Sequence, residues 1–461
     1  MESLKIIGIA CKNYGEIVNC KFIGQINSTD NWGYNKGGIV EENYGLIKEC
    51  GNEGKIGYSG VCSYGSGVCR YGKKLAGICI VNYGTIDTSF NRGLLKNIDY
   101  SGADTAGISV ENHGIIDNCY NSGKIEHGAS GSGIVGENFE DGIIKSCYNV
   151  GNIVLEEKVG SNVTHAQGIC NVNKGTIEEC YNAGNITSGS SVGLVSLNCN
   201  KLSNCYNQGK ITTLWGTEYN GRGDCSGINI TNEGTIDNCY NIGIINAHEF
   251  VNSANIANSN SGSISGCYYL ESNSSNDIYS EGLSFTEMQQ QESFEGFDFD
   301  TVWQIDSNAD YYFPTLRGIE NKTILPKNVE TELITTNSIT IKSIEGYEYS
   351  IDGENYQDSN VFDNLMPFTE YTIYQRIKKT ETTDESIAAY TSVKTLTYIG
   401  DINGDGKVNI TDVALINAHV KKTKLLTGEE LARADINGDG KVNITDVALV
   451  NAHVKKVKLL F

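Results

Sequence analysis

One motif constrains this chain more than any other feature, because it returns through most of residues 1–275. It reads Gly-Ile-x-x-x-Asn-x-Gly-x-Ile-x-x-Cys-Tyr-Asn-x-Gly-x-Ile, with a clear copy from Gly107 to Ile125. Other copies start at Gly8, Gly38, Gly77, Gly133, Gly168, Gly193 and Gly227, and a degraded last one ends at Cys267-Tyr268-Tyr269. The irregular period of roughly 25 to 40 residues is that of solenoids and arrays. Within a copy, Ile116, Cys119, Asn121, Gly123 and Ile125 fall mostly two apart. Glycine at this density would break helices, whereas short β segments joined by glycine turns tolerate it.

Stacking such units about 4.8 Å apart aligns identical residues into ladders. Ile and Cys would fill the interior, and Asn13, Asn43, Asn82, Asn112, Asn138, Asn173 and Asn232 could bond amide to amide. The expectation is a β-solenoid of about eight or nine rungs. The 15 cysteines are odd in number and stop at Cys267, which suggests packing positions rather than a disulfide framework. This segment resembles the GLUG repeats of bacterial surface and secreted proteins, which implies a spacer or adhesive stalk.

The repeat stops before residue 276. Residues 276–319 mix Phe with acidic residues and then carry Trp303 and Tyr311-Tyr-Phe-Pro-Thr-Leu316. A solenoid end exposes core and strand edges, so these aromatics are expected to cap it. Residues 320–397 have no cysteine and no period, but contain alternating stretches at 338–342, 347–351 and 371–376, with Asp352-Gly353 as a hairpin signal. Leu365-Met-Pro-Phe-Thr-Glu-Tyr371 resembles the strand corner of fibronectin type III domains, which implies a small β-sandwich.

Residues 398–461 hold the most specific chemistry. Residues 401–422 recur almost unchanged at 435–456, and both copies open on Asp-Ile-Asn-Gly-Asp-Gly-Lys-Val-Asn-Ile-Thr-Asp. Calcium takes six to eight oxygens, and a 12-residue loop supplies them from positions 1, 3, 5, 7 and 12, with glycine at 6. Those positions are Asp401, Asn403, Asp405, the Lys407 carbonyl and Asp412, with Asn409 near the ion or acting through water. In the second copy they are Asp435, Asn437, Asp439, Lys441 and Asp446, with Asn443 in the place of Asn409. Two calcium ions are therefore expected. Val408 and Val442 at position 8 could pair as a short ladder.

Two departures from an ordinary EF-hand stand out. Position 12 is Asp, and residues 395–400 before the first loop read as extended rather than helical. Each loop instead runs into an exiting helix, Val413–Val420 or Val447–Val454, and Thr427-Gly-Glu-Glu430 signals a third helix. This loop-plus-exiting-helix pair resembles a type I dockerin. The resemblance implies an extracellular or cell-surface bacterial protein docked to the cohesin domain of a scaffold in a cellulosome-like complex. It implies cohesin contact through Ile410, Thr411, Asn417, Ala418 and Lys422, and equally through Ile444, Thr445, Asn451, Ala452 and Lys456. Because the two sets are identical, each face could bind one cohesin. Met1-Glu-Ser-Leu-Lys5 shows no basic and apolar leader, so a secretory signal is expected upstream of this sequence.

No catalytic constellation emerges. The six histidines (113, 127, 165, 248, 419 and 453) form no zinc-protease motif, and no nucleophile elbow, P-loop or Cys-x-x-Cys occurs. A net charge of −21 argues against nucleic acid as a partner, and no run approaches a membrane span. Two readings of the solenoid follow: non-catalytic cargo serving polysaccharide degradation, or a glycoside hydrolase or lyase acting on plant polysaccharide. Tyr120, Tyr148, Tyr181, Tyr206 and Tyr240 each follow a cysteine, so alternation turns them outward. Such a stripe could stack on sugar rings, or it could support rung stacking or lie under loops.

Overall fold

The computed structural model describes residues 6–28, 35–58, 74–97, 104–155, 164–214, 223–248, 251–272, 277–306, 312–319, 325–380, 385–396 and 398–460. Cys62, Cys69, Tyr311 and Thr397 lie outside them. The chain divides into two compact units, Met1–Thr323 and Ile324–Phe461.

The first unit is a stack of parallel rungs. A representative rung runs through five short strands, Asp104–Ala106, Ser109–Asn112, Ile115–Asp117, Tyr120–Asn121 and Ile125–His127. Each pairs in parallel register with its equivalents above and below, building sheets of nine, nine, nine, ten and eight strands. Register is residue for residue: Ile86 on Ile116 on Ile144, and Asn91 on Asn121 on Asn149. Ile and Cys form the interior, with Ile116, Cys119, Ile144 and Cys147 all fully buried. All 13 described cysteines are free thiols. Burial holds Cys79 and Cys170 protonated, well above the ordinary thiol range.

Two asparagine ladders run the length of the stack. In the first, Nδ2 of each residue donates to Oδ1 of the next from Asn13 to Asn260, at 2.8–2.9 Å. Asn198 belongs to it, a member not singled out in the sequence. The second links Asn52, Asn91, Asn121, Asn149, Asn182, Asn207, Asn241 and Asn255 at 2.6–2.8 Å. Within the stack every such amide donates in one direction, so neighbouring bonds polarise one another.

The motif glycines serve contact rather than turning. A Cβ on Gly107 would lie 2.0 Å from the Gly133 carbonyl oxygen, and Gly107 does not have positive φ. The left-handed bends fall one residue before the cysteine column, on Asn19, Glu49, Thr88, Asn118, Ser146, Glu179, Asn204 and Asn238, with φ from 47 to 54°. That corrects the expectation of glycine turns at the rung corners. The last rung instead uses Gly266 at this bend, with φ 55°.

His127 is fully buried, and neither ring nitrogen has a hydrogen-bond partner. Burial pushes its imidazole down to about 3, with His165 adding to the shift.

Within the second unit, residues 331–394 form two three-stranded antiparallel sheets. One holds Thr331–Ile334, Ile339–Ile341 and Val361–Phe362; the other holds Tyr347–Ser350, Glu370–Ile377 and Ala389–Lys394. Ile339, Ile341, Tyr349, Phe362, Ile373 and Val393 pack between them. At the corner, the Met366 N–H donates to the Tyr371 hydroxyl at 2.8 Å. Asp352 makes a turn by accepting the Glu354 and Asn355 N–H groups. It is not a tight hairpin: the returning chain makes only the Tyr349–Gln357 bridge before crossing to the other sheet.

Two measurements test this architecture. Asn149→Ala strands the Asn121 donor and the Asn182 acceptor, and should cost the solenoid about 3 kcal/mol, read as a lower urea midpoint of the tyrosine near-ultraviolet signal. Ser122→Ala, on the exposed turn beside the ladder, should leave that midpoint unchanged. His127 is neutral when folded and binds a proton below about 6.5 when unfolded, so its contribution is complete above that pH and is lost progressively toward 3. Lowering pH from 6.5 to 5 should cost about 2 kcal/mol through this residue, and His127→Leu should flatten that part of the stability profile.

Candidate calcium loops and docking face

The C-terminal module has three helices: α1 (Ile410–Val420), α2 (Gly428–Ala434) and α3 (Ile444–Val454). Asn409 caps α1, accepting the Thr411 N–H at 2.8 Å, while Asp412 accepts the Asn409 N–H at 2.9 Å. Asn443 and Asp446 do the same for α3 at 2.8 and 2.9 Å. Position 9 of each loop is thus occupied with starting a helix. Thr427 stands at the N-cap of α2 but makes no side-chain cap bond, so the capping box expected there does not form. Val413, Ile416, Val447 and Val450 join the two loop-derived helices in one core with Ile402, Leu426 and Ala434. Val408 and Val442 pack against that core without a β bridge between them among the described residues.

Backbone turns gather the loop oxygens. The Asp401 carboxylate accepts N–H bonds from Gly404, Asp405 and Gly406 at 2.8–3.2 Å. Asp412 closes the loop by accepting those of Ile402 and Asn403 at 2.8 and 3.2 Å. In the second loop Asp435 accepts from Asp439 and Gly440, and Asp446 from Ile436 and Asn437. Gly406 and Gly440 hold φ of 81 and 80°, as position 6 requires. Asp401 and Asp412 are both fully buried, and burial together with the Asp412 charge pushes the Asp401 carboxyl up.

Neither Asp401 nor Asp412 has a Lys or Arg ion pair among the described residues. Two buried carboxylates without a countercharge are costly unless a cation joins them. The donor set is all oxygen: Asp, Asn, Asp, a backbone carbonyl and Asp, which suits a hard cation such as calcium. Side chains of His, Cys, Asp and Glu alone do not cluster into a metal site among the described residues. A cation held in either loop would have to draw on its amide and carbonyl oxygens as well.

The mirrored surface positions are matched in exposure. Ile410 and Ile444 are each 65% exposed, large apolar side chains standing in solvent at the starts of α1 and α3. Thr411 and Thr445 are exposed beside them; Asn417, Ala418, Asn451 and Ala452 are half-buried. Lys422 and Lys456 are exposed just past the helix ends, both left-handed with φ of 58 and 56°.

The duplication continues past residues 422 and 456. The Leu426 N–H donates to His419 Nδ1 at 2.9 Å, and the Leu460 N–H donates to His453 Nδ1 at 3.0 Å. These histidines tie each chain return to its own helix. The repeated Lys-Lys-x-Lys-Leu-Leu at 421–426 and 455–460 carried that signal.

The tyrosines proposed for sugar contact form a stack but do not present an open face. Tyr120, Tyr148, Tyr181, Tyr206 and Tyr240 lie ring on ring at 4.9–5.1 Å. Tyr148, Tyr181, Tyr206 and Tyr240 are buried. Residues from the aromatic segment run back over part of the stack: Trp303 packs on Tyr206 and Tyr240 and donates from Nε1 to Asn204 at 3.2 Å. Phe294 and Phe297 cover Tyr240 and Tyr268. Tyr120 is half-buried, with the Arg92 guanidinium on its hydroxyl. The outward stripe is therefore largely covered.

A second stack was missed. Tyr14, Tyr44, Tyr83, His113 and Phe139 each follow a first-ladder asparagine and stack at 4.0–5.0 Å, with the three tyrosines 71, 41 and 46% exposed. An aromatic ring after that asparagine in five successive copies was the available signal.

Residues 399–455 match the dockerin type I domain family. No curated protein and no solved structure matches the chain. The C-terminal segment is thus a type I dockerin domain, a class that generally binds calcium and whose partner is a cohesin in cellulosome-type attachment. No helix among the described residues is long and apolar enough to cross a membrane.

Chelation tests the loops. With EDTA the helical far-ultraviolet signal of this module should fall and its protection from protease should be lost, and added calcium should restore both. Asp412→Ala, which removes a candidate ligand and two loop anchors, should weaken calcium binding at least tenfold by titration calorimetry. A module indifferent to EDTA would show that the loops hold themselves without an ion.

Proposed function

We propose that this protein is carried to a cohesin-bearing scaffold by its C-terminal dockerin, which holds two calcium ions and presents two equivalent docking faces. The observation that carries the proposal is the pair Ile410-Thr411 and Ile444-Thr445, identical in sequence and standing out to the same extent at the starts of α1 and α3. Apolar side chains left in solvent at mirrored positions are suited to burial against a partner. Asn417, Ala418 and Lys422, with Asn451, Ala452 and Lys456, extend each face along its helix.

In this reading the GLUG-like solenoid is the cargo, the fibronectin-like sandwich is its spacer, and the assembly works outside the cell on polysaccharide. A long stack of parallel rungs with a largely covered tyrosine column supports a structural or adhesive role more than a stacking platform built on those rings.

Retention on a panel of immobilised cohesin domains tests this. Binding to at least one should require calcium. Replacing Ile410 and Thr411 by Asp, or Ile444 and Thr445 by Asp, should each leave affinity within about tenfold, because the other face remains; both changes together should abolish it. A large loss from one replacement alone would leave a single docking face, and no retention by any cohesin would sink the attachment itself.

A further inference from the structure

The two loops are identical over twelve residues, so any difference between them must come from their surroundings. Their surroundings differ. Asp401 is fully buried and Gly404 and Gly406 are half-buried, whereas Asp435 is half-buried and Gly438 and Gly440 are exposed. A Cβ on Gly404 would meet Arg433 Nη2 at 3.5 Å and the Phe368 ring at 3.6 Å; one on Gly438 would meet nothing within 4 Å.

Phe368 belongs to the sandwich, where it follows Pro367 in the left-handed conformation with φ 50°. Its N–H donates to the Leu396 carbonyl at 3.2 Å, and the Lys394 ammonium lies 3.2 Å from the ring centre. Arg433 of α2 stands 6.0 Å from the same ring and reaches the first loop by donating from Nη2 to the Ile402 carbonyl at 3.1 Å. Its main-chain carbonyl accepts the Gly400 N–H at 3.0 Å, just before the loop begins.

We propose that the sandwich corner at Phe368, with Arg433 behind it, is a wall of the first calcium loop, so that an ion held there leaves more slowly than one in the second loop. The inference rests on the calcium reading of both loops. Release requires water to replace protein oxygens one after another, and an apolar ring over the loop's turn restricts that entry. The same exclusion lowers the local dielectric and strengthens the attraction between the ion and its carboxylates. The Lys394 and Arg433 charges act the other way. Arg433 is paired with Glu429 at 3.1 Å and directed at a carbonyl of position 2, which is not a ligand position, so the exclusion of water is the larger effect.

The test is stopped-flow release of calcium from the full chain into excess fluorescent chelator. The unaltered protein should release in two phases separated by about tenfold, equivalent to about 1.4 kcal/mol in barrier height. Phe368→Ala should accelerate the slow phase toward the fast one and leave the fast phase unmoved, while Phe368→Leu, which keeps an apolar side chain in a corner that must still fold, should give an intermediate rate. Asp435→Asn should weaken the fast phase and thereby assign it. A single phase in the unaltered chain, or equal acceleration of both phases by Phe368→Ala, would overturn the inference while leaving calcium binding intact. No calcium released at all would instead remove the reading of the loops on which it rests.

Discussion

Everything in the first unit depends on one repeat distance, the separation of parallel strands in consecutive rungs. Once rungs lie in register, each side chain meets its own equivalent, and only residue types that tolerate self-contact persist in a column. Asparagine is suited because its amide is both donor and acceptor, as in the run from Asn13 to Asn260. Isoleucine and cysteine are suited because they interlock without polar demands. Glycine is required where backbone approaches backbone, as at Gly107 over the Gly133 carbonyl. A buried carboxylate column would meet only repulsion, and the buried polar columns that run through this stack are built of asparagine amides.

Aromatic columns follow the same rule with a different consequence. Stacked rings give their faces to one another and leave edges outward. In the column of Tyr120 to Tyr240 those edges are enclosed over the later rungs by Trp303, Phe297 and Phe294, so the aromatic segment forms a side wall of the stack. In the column of Tyr14 to Phe139 they remain open over the early rungs. Alternation correctly turns Tyr181 away from Cys180, yet Tyr181 is fully buried. Facing away from one core does not mean facing solvent.

What was legible in the sequence is what repetition amplifies. The interior Ile and Cys, the first amide ladder and the duplicated loop sequence each occur at fixed spacing, so every copy supports the others. The second ladder through Asn121 sits inside the same motif and has the same Asn-x-Gly spacing as the first, so the signal for both was equally present in the sequence. The left-handed bends were only half legible: Asn19, Asn118, Asn204 and Asn238 suit that conformation, whereas Glu49, Thr88, Ser146 and Glu179 share only a position before the column residue. Stacking holds these last four there against their own preference. In the dockerin the His419–Leu426 and His453–Leu460 ties each end on a leucine past residues 422 and 456, although the repeat continues through them.

Contacts outside a repeat are another matter. No periodicity points to Phe368 beside Gly404, since the two belong to different folds and the contact occurs once. This is where a duplicated module acquires direction. Identical sequence gives the two loops the same oxygen donors and the two helices the same apolar starts, so the isolated module would be close to symmetric. A neighbour on one side lifts that symmetry at the first loop, where Asp401 is enclosed, but leaves Ile410 and Ile444 equally exposed. On the proposed reading docking can therefore remain two-faced while ion retention becomes one-sided, because the exposed pair Ile410 and Ile444 and the contact with the sandwich lie at different places on the module.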